Sequence, residues 1–301
     1  MIFFTLLVIL NWLLVIVRVI IAVIYFTMLE RKIMRYMQIR KGPKKVGILG
    51  LLTPVADALK LLAKKIGNPL NSNYFIFWYS PLISLLLLVF CWFFFPFPKR
   101  KLVVMYGFIF FLALSSFKVY RVLGSGWGSK SKYSLLGSLR GAAQTISYEV
   151  CLVFISFFPF VFLGVYDLYE YLNTGLMRLW LVVLVCLWLI VIFAETNRAP
   201  LDFSEGEREL VSGFNTEYGA MEFAFLFLGE YGQIIFLSFV TILLWAPLKI
   251  FWIIIIGVLK SLFFIWVRST YPRFRYDLLM GLAWSVILPY LLILFIFIFI
   301  F

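Results

Sequence analysis

Apolar stretches of membrane-crossing length recur from one end of the chain to the other, with shorter polar stretches between them. A helix rises about 1.5 Å per residue, so roughly 20 apolar residues cross the ~30 Å of hydrocarbon in a bilayer. Eight stretches predict spans, at about 2–27, 81–98, 102–123, 141–165, 176–194, 219–245, 249–267 and 279–300. The strict alternation of a membrane barrel is absent. The expected fold is therefore all-α, a polytopic integral membrane protein with about eight transmembrane helices in a single transmembrane domain covering 1–301.

One further segment, 48–66, has a different pattern. Leu52, Val55, Leu59, Leu62 and Ile66 recur at helical spacing, while Asp57, Lys60 and Lys64 fall on the other side. This predicts an amphipathic helix lying in the membrane interface. Two readings fit it. It is either a surface helix whose lysines reach the lipid headgroups, or a lid framing the entrance for a membrane-dissolved substrate.

Composition agrees with the pattern. With 64% apolar residues, a mean hydropathy of +1.04 and 14% charged residues, the chain is no soluble globular domain. Charge then supplies orientation. The formal net charge is +13, and the 27 bases are unevenly placed. With bases near the ends of spans counted to the adjoining loop, the odd-numbered loops hold twenty and the even-numbered loops five, while Arg18 and Lys260 lie deep within spans. Cytosolic or matrix loops carry such an excess, so the odd loops face that side. They are also the long loops, where a partner or substrate would be met. The basic run Glu30–Gly47, with its Gly42-Pro43 turn, suits topology and docking onto an acidic partner better than nucleic acid. Gly124–Tyr133 reads as a second flexible basic loop, with Trp127 as a partner contact.

Against that basic background the stretch 194–218 is acidic. It carries Glu195, Asp202, Glu205, Glu207, Glu209 and Glu217 against only Arg198 and Arg208. Ser204 and Glu207 form a potential capping box for a short helix, and clustered carboxylates of this kind titrate as a coupled set. Three more acids fall inside spans: Glu149 in the fourth, and Glu222 and Glu230 in the sixth. Each ionised carboxylate at mid-bilayer costs at least about 2.5–3.5 kcal/mol. They must line an internal cavity, pair with bases or stay protonated. Structural pairing and a hydrated proton path both remain open from the residues alone.

Histidine is absent, and Cys91, Cys151 and Cys186 stand far apart in apolar runs. No glycine-rich phosphate loop occurs. The chain is thus a poor candidate to ligate haem, zinc or an iron–sulfur cluster, and no metal site is expected. Redox chemistry here would use a group held by a partner or a diffusible one. The first apolar run starts at Met1 with no secretory or transit segment before it, which suggests insertion from the compartment of synthesis.

Four motifs then resemble a known family: Glu30–Pro43, Ala142–Val150, Ala194–Tyr218 and Tyr271–Asp277. Together with the spans, and in the same order, they are similar to the NADH–ubiquinone oxidoreductase chain 1 family, the quinone-site membrane subunits of respiratory complex I. The resemblance implies a subunit that helps frame a tunnel for ubiquinone as substrate. FMN and iron–sulfur clusters would sit in partner subunits. It implies quinone-module hydrophilic subunits on the basic, matrix-side loops, antiporter-like membrane subunits alongside, lipids around and no nucleic acid. The implied location is the mitochondrial inner membrane, with the chain encoded in the organelle, rather than a bacterial plasma membrane. By motif, Glu30, Arg31, Arg40, Asp57, Lys60, Arg198, Arg273, Arg275 and Asp277 take quinone-tunnel positions. Tyr148, Glu149, Glu195, Asp202, Glu205, Glu207, Glu209, Glu217, Glu222 and Glu230 take positions in a proton and charge relay. The competing reading is a stand-alone secondary transporter or proton channel, although the chain shows no internal repeat of the kind such proteins carry.

Overall fold

The computed structural model describes residues 2–65, 67, 69, 71–95, 107–164, 166–173, 182–202, 212–245 and 250–300. Glu205, Glu207 and Glu209, with the Ser204 capping box and Arg208, lie outside the described residues, as do the bases at 99–101, 178 and 249.

The described residues are helical throughout, without strands. In chain order the helices are α1 (Ile2–Met37), α2 (Thr53–Ala63), α3 (Tyr74–Phe94), α4 (Gly107–Ser129), α5 (Lys132–Leu163), α6 (Leu168–Asn173) and α7 (Val182–Glu195). There follow α8 (Ala220–Trp245), α9 (Ile250–Thr270) and α10 (Tyr276–Gly281), the last running through a π-helical turn at Leu282–Ile287 into α11 (Leu288–Ile300). Seven helical stretches are long and apolar enough to cross a membrane, and the described part of α7 is a shorter apolar helix of 14 residues. This is a multi-pass membrane protein.

Helix α8 is the centre of the bundle. It packs against α1, α2, α3 and α9, and its apolar window is the most buried of the seven. Lipid tails are as apolar as leucine, so close backbone approach, not hydrophobicity, holds such helices together. Glycines on α8 provide it: a Cβ on Gly229 would stand 2.9 Å from that of Ser84 on α3. Seryl hydroxyls of the bundle turn back onto carbonyls of their own helix, as Ser84, Ser115, Ser125 and Ser238 do, which satisfies those donors among the hydrocarbon.

Three expectations are corrected. Gly124–Tyr133 is not a flexible loop, because α4 runs on to Ser129 and α5 begins at Lys132. Its glycines are packing contacts rather than breakers: Gly126 meets Ser138 and Gly128 meets the backbone of Phe77. A Cβ on Gly126 would lie 2.0 Å from the Ser138 hydroxyl oxygen and 2.9 Å from the Ser134 carbonyl oxygen. Gly126→Val should therefore cost about 1–3 kcal/mol or more. A lower midpoint in a thermal melt of the membrane-extracted protein would register it, and an unchanged midpoint would refute the close α4–α5 contact.

Second, the amphipathic helix is shorter than 48–66. A 3₁₀ turn at Ile48–Gly50 precedes α2, and the helix ends at Ala63. The third concerns the ends of the spans. The first helix extends to Met37, which brings Glu30 and Arg31 into it, and Lys118 and Arg121 stand inside α4, buried, instead of in a loop.

Candidate functional site

A cavity of about 510 Å³ lies between α1, α2 and α8. Its walls are apolar, including Val23 and Met34 of α1, Ala58 and Leu61 of α2, and Phe223, Ala224 and Phe227 of α8. Glu30, Arg31, Asp57, Tyr231 and Arg268 supply the polar lining. Leu52, just before α2, and Val55, Leu59 and Leu62 on its outer side are all exposed, so the apolar stripe faces away from the chain while the other side of α2 covers the cavity.

The polar end is built by local sequence. Helix α7 stops in a paired hydrogen-bond cap. The Arg198 N–H donates to the Phe193 carbonyl and the Asn197 N–H to that of Ala194, with Asn197 left-handed at φ 50°. This reversal returns Arg198 towards α1, where its Nη1 donates to Glu30 Oε1 at 3.1 Å. Arg268, near the end of α9, donates to the same oxygen. Arg198 also lies 4.1 Å from the centre of the Tyr231 ring, and the Tyr231 hydroxyl joins the hydrogen bonds of Arg198 and Glu30. Glu30 is only 3% exposed, so it is a buried anion held between two guanidinium groups.

Glu230, next to Tyr231 on α8, carries this cluster deeper into the bundle. Its carboxylate meets Arg121 Nη1 at 3.7 Å, bonds the Asn215 side chain and lies in the fields of Arg198 and Asp202. Beyond it, Lys118 Nζ donates to Glu195 Oε1 at 3.1 Å. Glu149 then lies beside Glu195 and Lys118, against the Ser115 hydroxyl. Gln144 on α5 holds this region in shape, donating to the carbonyls of Ala194 and Leu201 at 2.9 and 2.8 Å. A line of charged groups thus runs from the cavity through four helices.

Of the predicted tunnel residues, Glu30, Arg31 and Asp57 line the cavity, with Arg31 and Asp57 paired at 2.7 Å, and Arg198 anchors its polar end. Lys60 and Arg40 are exposed outside the lining. Arg273 stands 4.0 Å from Asp202, while Arg275 and Asp277 form an exposed pair at 3.0 Å; all three lie outside the cavity. Of the predicted relay residues, Glu149, Glu195, Asp202 and Glu230 come together. Tyr148 is fully buried, and its hydroxyl donates to the Leu279 carbonyl at 2.8 Å, just before the π-helical turn. Glu222 stands apart on α8, buried near Tyr218, and Glu217 is half-buried in the turn before it. The Tyr218 phenol bonds the Ser80 hydroxyl at 2.8 Å, and burial raises it well above its usual range, so it stays neutral.

Sequence reasoning missed Lys118, Arg121, Tyr231 and Arg268. For the first two a signal existed. Bases three residues apart share a helical face, and that face of α4 also carries Ser115, Ser125 and Ser129.

A family model described as NADH dehydrogenase matches residues 10–299. The chain belongs to the NADH dehydrogenase family. Its relatives in that family include proteins named NADH-ubiquinone oxidoreductase chain 1. That of Thymallus arcticus is 46% identical over 294 residues, covering 93% of this chain and 90% of the relative. That of Aedes aegypti is 46% identical over 285 residues, covering 92% and 90%. That of Anopheles gambiae is 47% identical over 283 residues, again covering 92% and 90%. Family membership therefore extends over the cavity and the charged line alike.

Proposed function

We propose that the chain serves as a core membrane subunit of NADH–ubiquinone oxidoreductase, respiratory complex I. In this reading the α1–α2–α8 cavity forms part of the ubiquinone route, and the charged line couples quinone reduction to proton translocation. The observation that carries it is the continuity between the two. Glu30, Arg198 and Tyr231 belong to the polar end of the cavity, and Glu230, the residue before Tyr231, belongs to the charged line.

A cavity with apolar walls and a few convergent polar groups suits a molecule with an apolar tail and a polar headgroup. Ubiquinone is such a molecule, and a change of charge at its headgroup acts first on the Glu30 cluster. From there the disturbance passes to acids whose protonation is mutually dependent. This chain's residues bind, orient and hold protons. The electrons arrive from NADH through FMN and iron–sulfur clusters in partner subunits. Quinone-module hydrophilic subunits cover the basic matrix face, antiporter-like subunits lie alongside, and lipid of the mitochondrial inner membrane meets the outer stripe of α2. All of residues 1–301 form one transmembrane domain in this reading.

Filling the cavity tests the reading. Ala224→Trp should lower NADH:ubiquinone turnover about tenfold or more and raise the quinone KM, with normal assembly. NADH oxidation by a water-soluble acceptor that takes electrons before the quinone should stay at the wild-type rate. An unchanged quinone KM and turnover in the assembled variant would exclude this cavity as the quinone route.

A further inference from the structure

Two buried bases belong to the charged line, yet the function proposed above gives them no task of their own. Lys118 and Arg121 are 5% and 4% exposed, one helical turn apart on α4, at the seam where α5, α7 and α8 bring in Glu149, Glu195 and Glu230. The Lys118–Glu195 pair is almost sealed, with side chains 6% and 1% exposed. The Arg121–Glu230 pair is looser at 3.7 Å. Nε and Nη1 of Arg121, Oε1 of Glu230 and Oε2 of Glu195 are buried without a hydrogen-bond partner among the described residues. These are atoms that can take up a new bond when a charge moves.

Lys118 also has a second carboxylate in reach of its field, that of Glu149. An ammonium on a flexible four-carbon stem has three donors and can swing between neighbouring acceptors, which a planar guanidinium does less freely. The charges of the seam point the same way. Two cations face three carboxylates, so the seam is neutral when one carboxylate carries a proton, and burial strongly favours neutrality. The other groups bearing on it are Cys91 of α3 beside Lys118, and Arg198 and Asp202 beside Glu230.

We propose that Lys118 and Arg121 are positioning residues of the proton route: Arg121 fixes Glu230 as an anion, and Lys118 is shared between Glu195 and Glu149, following whichever is ionised. The single exchangeable proton of the seam then sits on the acid that Lys118 has left. This rests on the proposed role of the acids, and it adds the cation that decides where their proton resides.

The test uses the assembled complex carrying Lys118→Met, Lys118→Arg or the neutral pair Lys118→Met/Glu195→Gln. Turnover per assembled complex and the pH profile of NADH:ubiquinone activity are measured. A buried carboxylate without its counter-cation binds its proton more tightly, so Lys118→Met should move the acid limb of the profile up by about one pH unit and lower turnover about tenfold. Lys118→Arg keeps the charge and should restore the pH profile, while turnover stays below wild type because a guanidinium moves less freely between the two acids. Where Lys118→Met does not assemble, the neutral pair should assemble and show the altered profile. A wild-type profile and turnover in Lys118→Met, a loss confined to the amount assembled, or failure of the neutral pair to assemble would overturn the inference. Glu149→Gln and Glu195→Gln run alongside keep the two levels distinct. If they pump like wild type, the acid route itself fails; if they stop pumping while Lys118→Met does not change, only the role of the lysine fails.

Discussion

Glu30→Ala should be the most damaging single substitution in the chain, reducing assembled complex to about a tenth of wild type or less. The Glu30 side chain is 4% exposed and accepts from both Arg198 and Arg268. Without it two guanidinium groups, with side chains 15% and 31% exposed, are left facing each other, and breaking a pair by removing its buried partner costs up to about 3–5 kcal/mol. Arg198 is placed by the cap of α7 and Arg268 by the end of α9, which hold both at the polar end of the cavity. Glu30→Gln separates charge from shape. It keeps an acceptor for one arginine but not the negative charge, so assembly should fall as with alanine. Glu30→Asp keeps the charge on a shorter stem and should assemble, with a raised quinone KM because the polar end of the cavity has shifted. Native-gel quantification with quinone kinetics on the assembled fraction reads both effects. Full assembly of Glu30→Ala would refute the account of the cluster.

The second large effect is expected at Glu230. Glu230→Leu leaves Arg121, which is 5% exposed, without its carboxylate and with Arg198 still nearby. Assembly should fall several-fold, in line with a cost of about 3–5 kcal/mol, and proton translocation should be lost in the remainder. The double variant Glu230→Leu/Arg121→Met removes both charges and should recover assembly but not translocation. A double-mutant cycle on assembly should therefore give a coupling of at least about 1 kcal/mol. Additive losses would show that Arg121 and Glu230 do not act as a pair, and recovered translocation would show that the proton route does not need the Glu230 carboxylate.

The fold was largely legible because the bilayer imposes a length: an apolar run near that length in this chain corresponds to a helix. Ends were less legible. Helix α4 continues through Gly124, Gly126 and Gly128, since within a bundle glycine gives close approach at little cost, whereas in water it marks a loop. Helix α1 continues ten residues beyond its expected end at 27, because the basic residues after Glu30 are exposed beyond the apolar part and need no break in the backbone. The acids of the site were visible as charges where charges are expensive. Their partners were not. Lys118 and Arg121 fall near the end of an apolar run, where bases ordinarily signal a loop, and only the packing of α4 against α5 turns them inward. Tyr231 and Arg268 carry no local signal at all, since they become polar lining only when α8 and α9 meet α1.

Coupling between the cavity and the acids is the central claim, and Glu149 offers the most direct test of it. Among the described residues its carboxylate forms no ion pair, so neutralising it leaves no buried base abandoned. The measurement is simultaneous quinone reduction and proton translocation in membranes carrying Glu149→Gln. The account predicts normal assembly, with both rates falling together by about tenfold or more. Quinone reduction and proton translocation both at wild-type levels would contradict it.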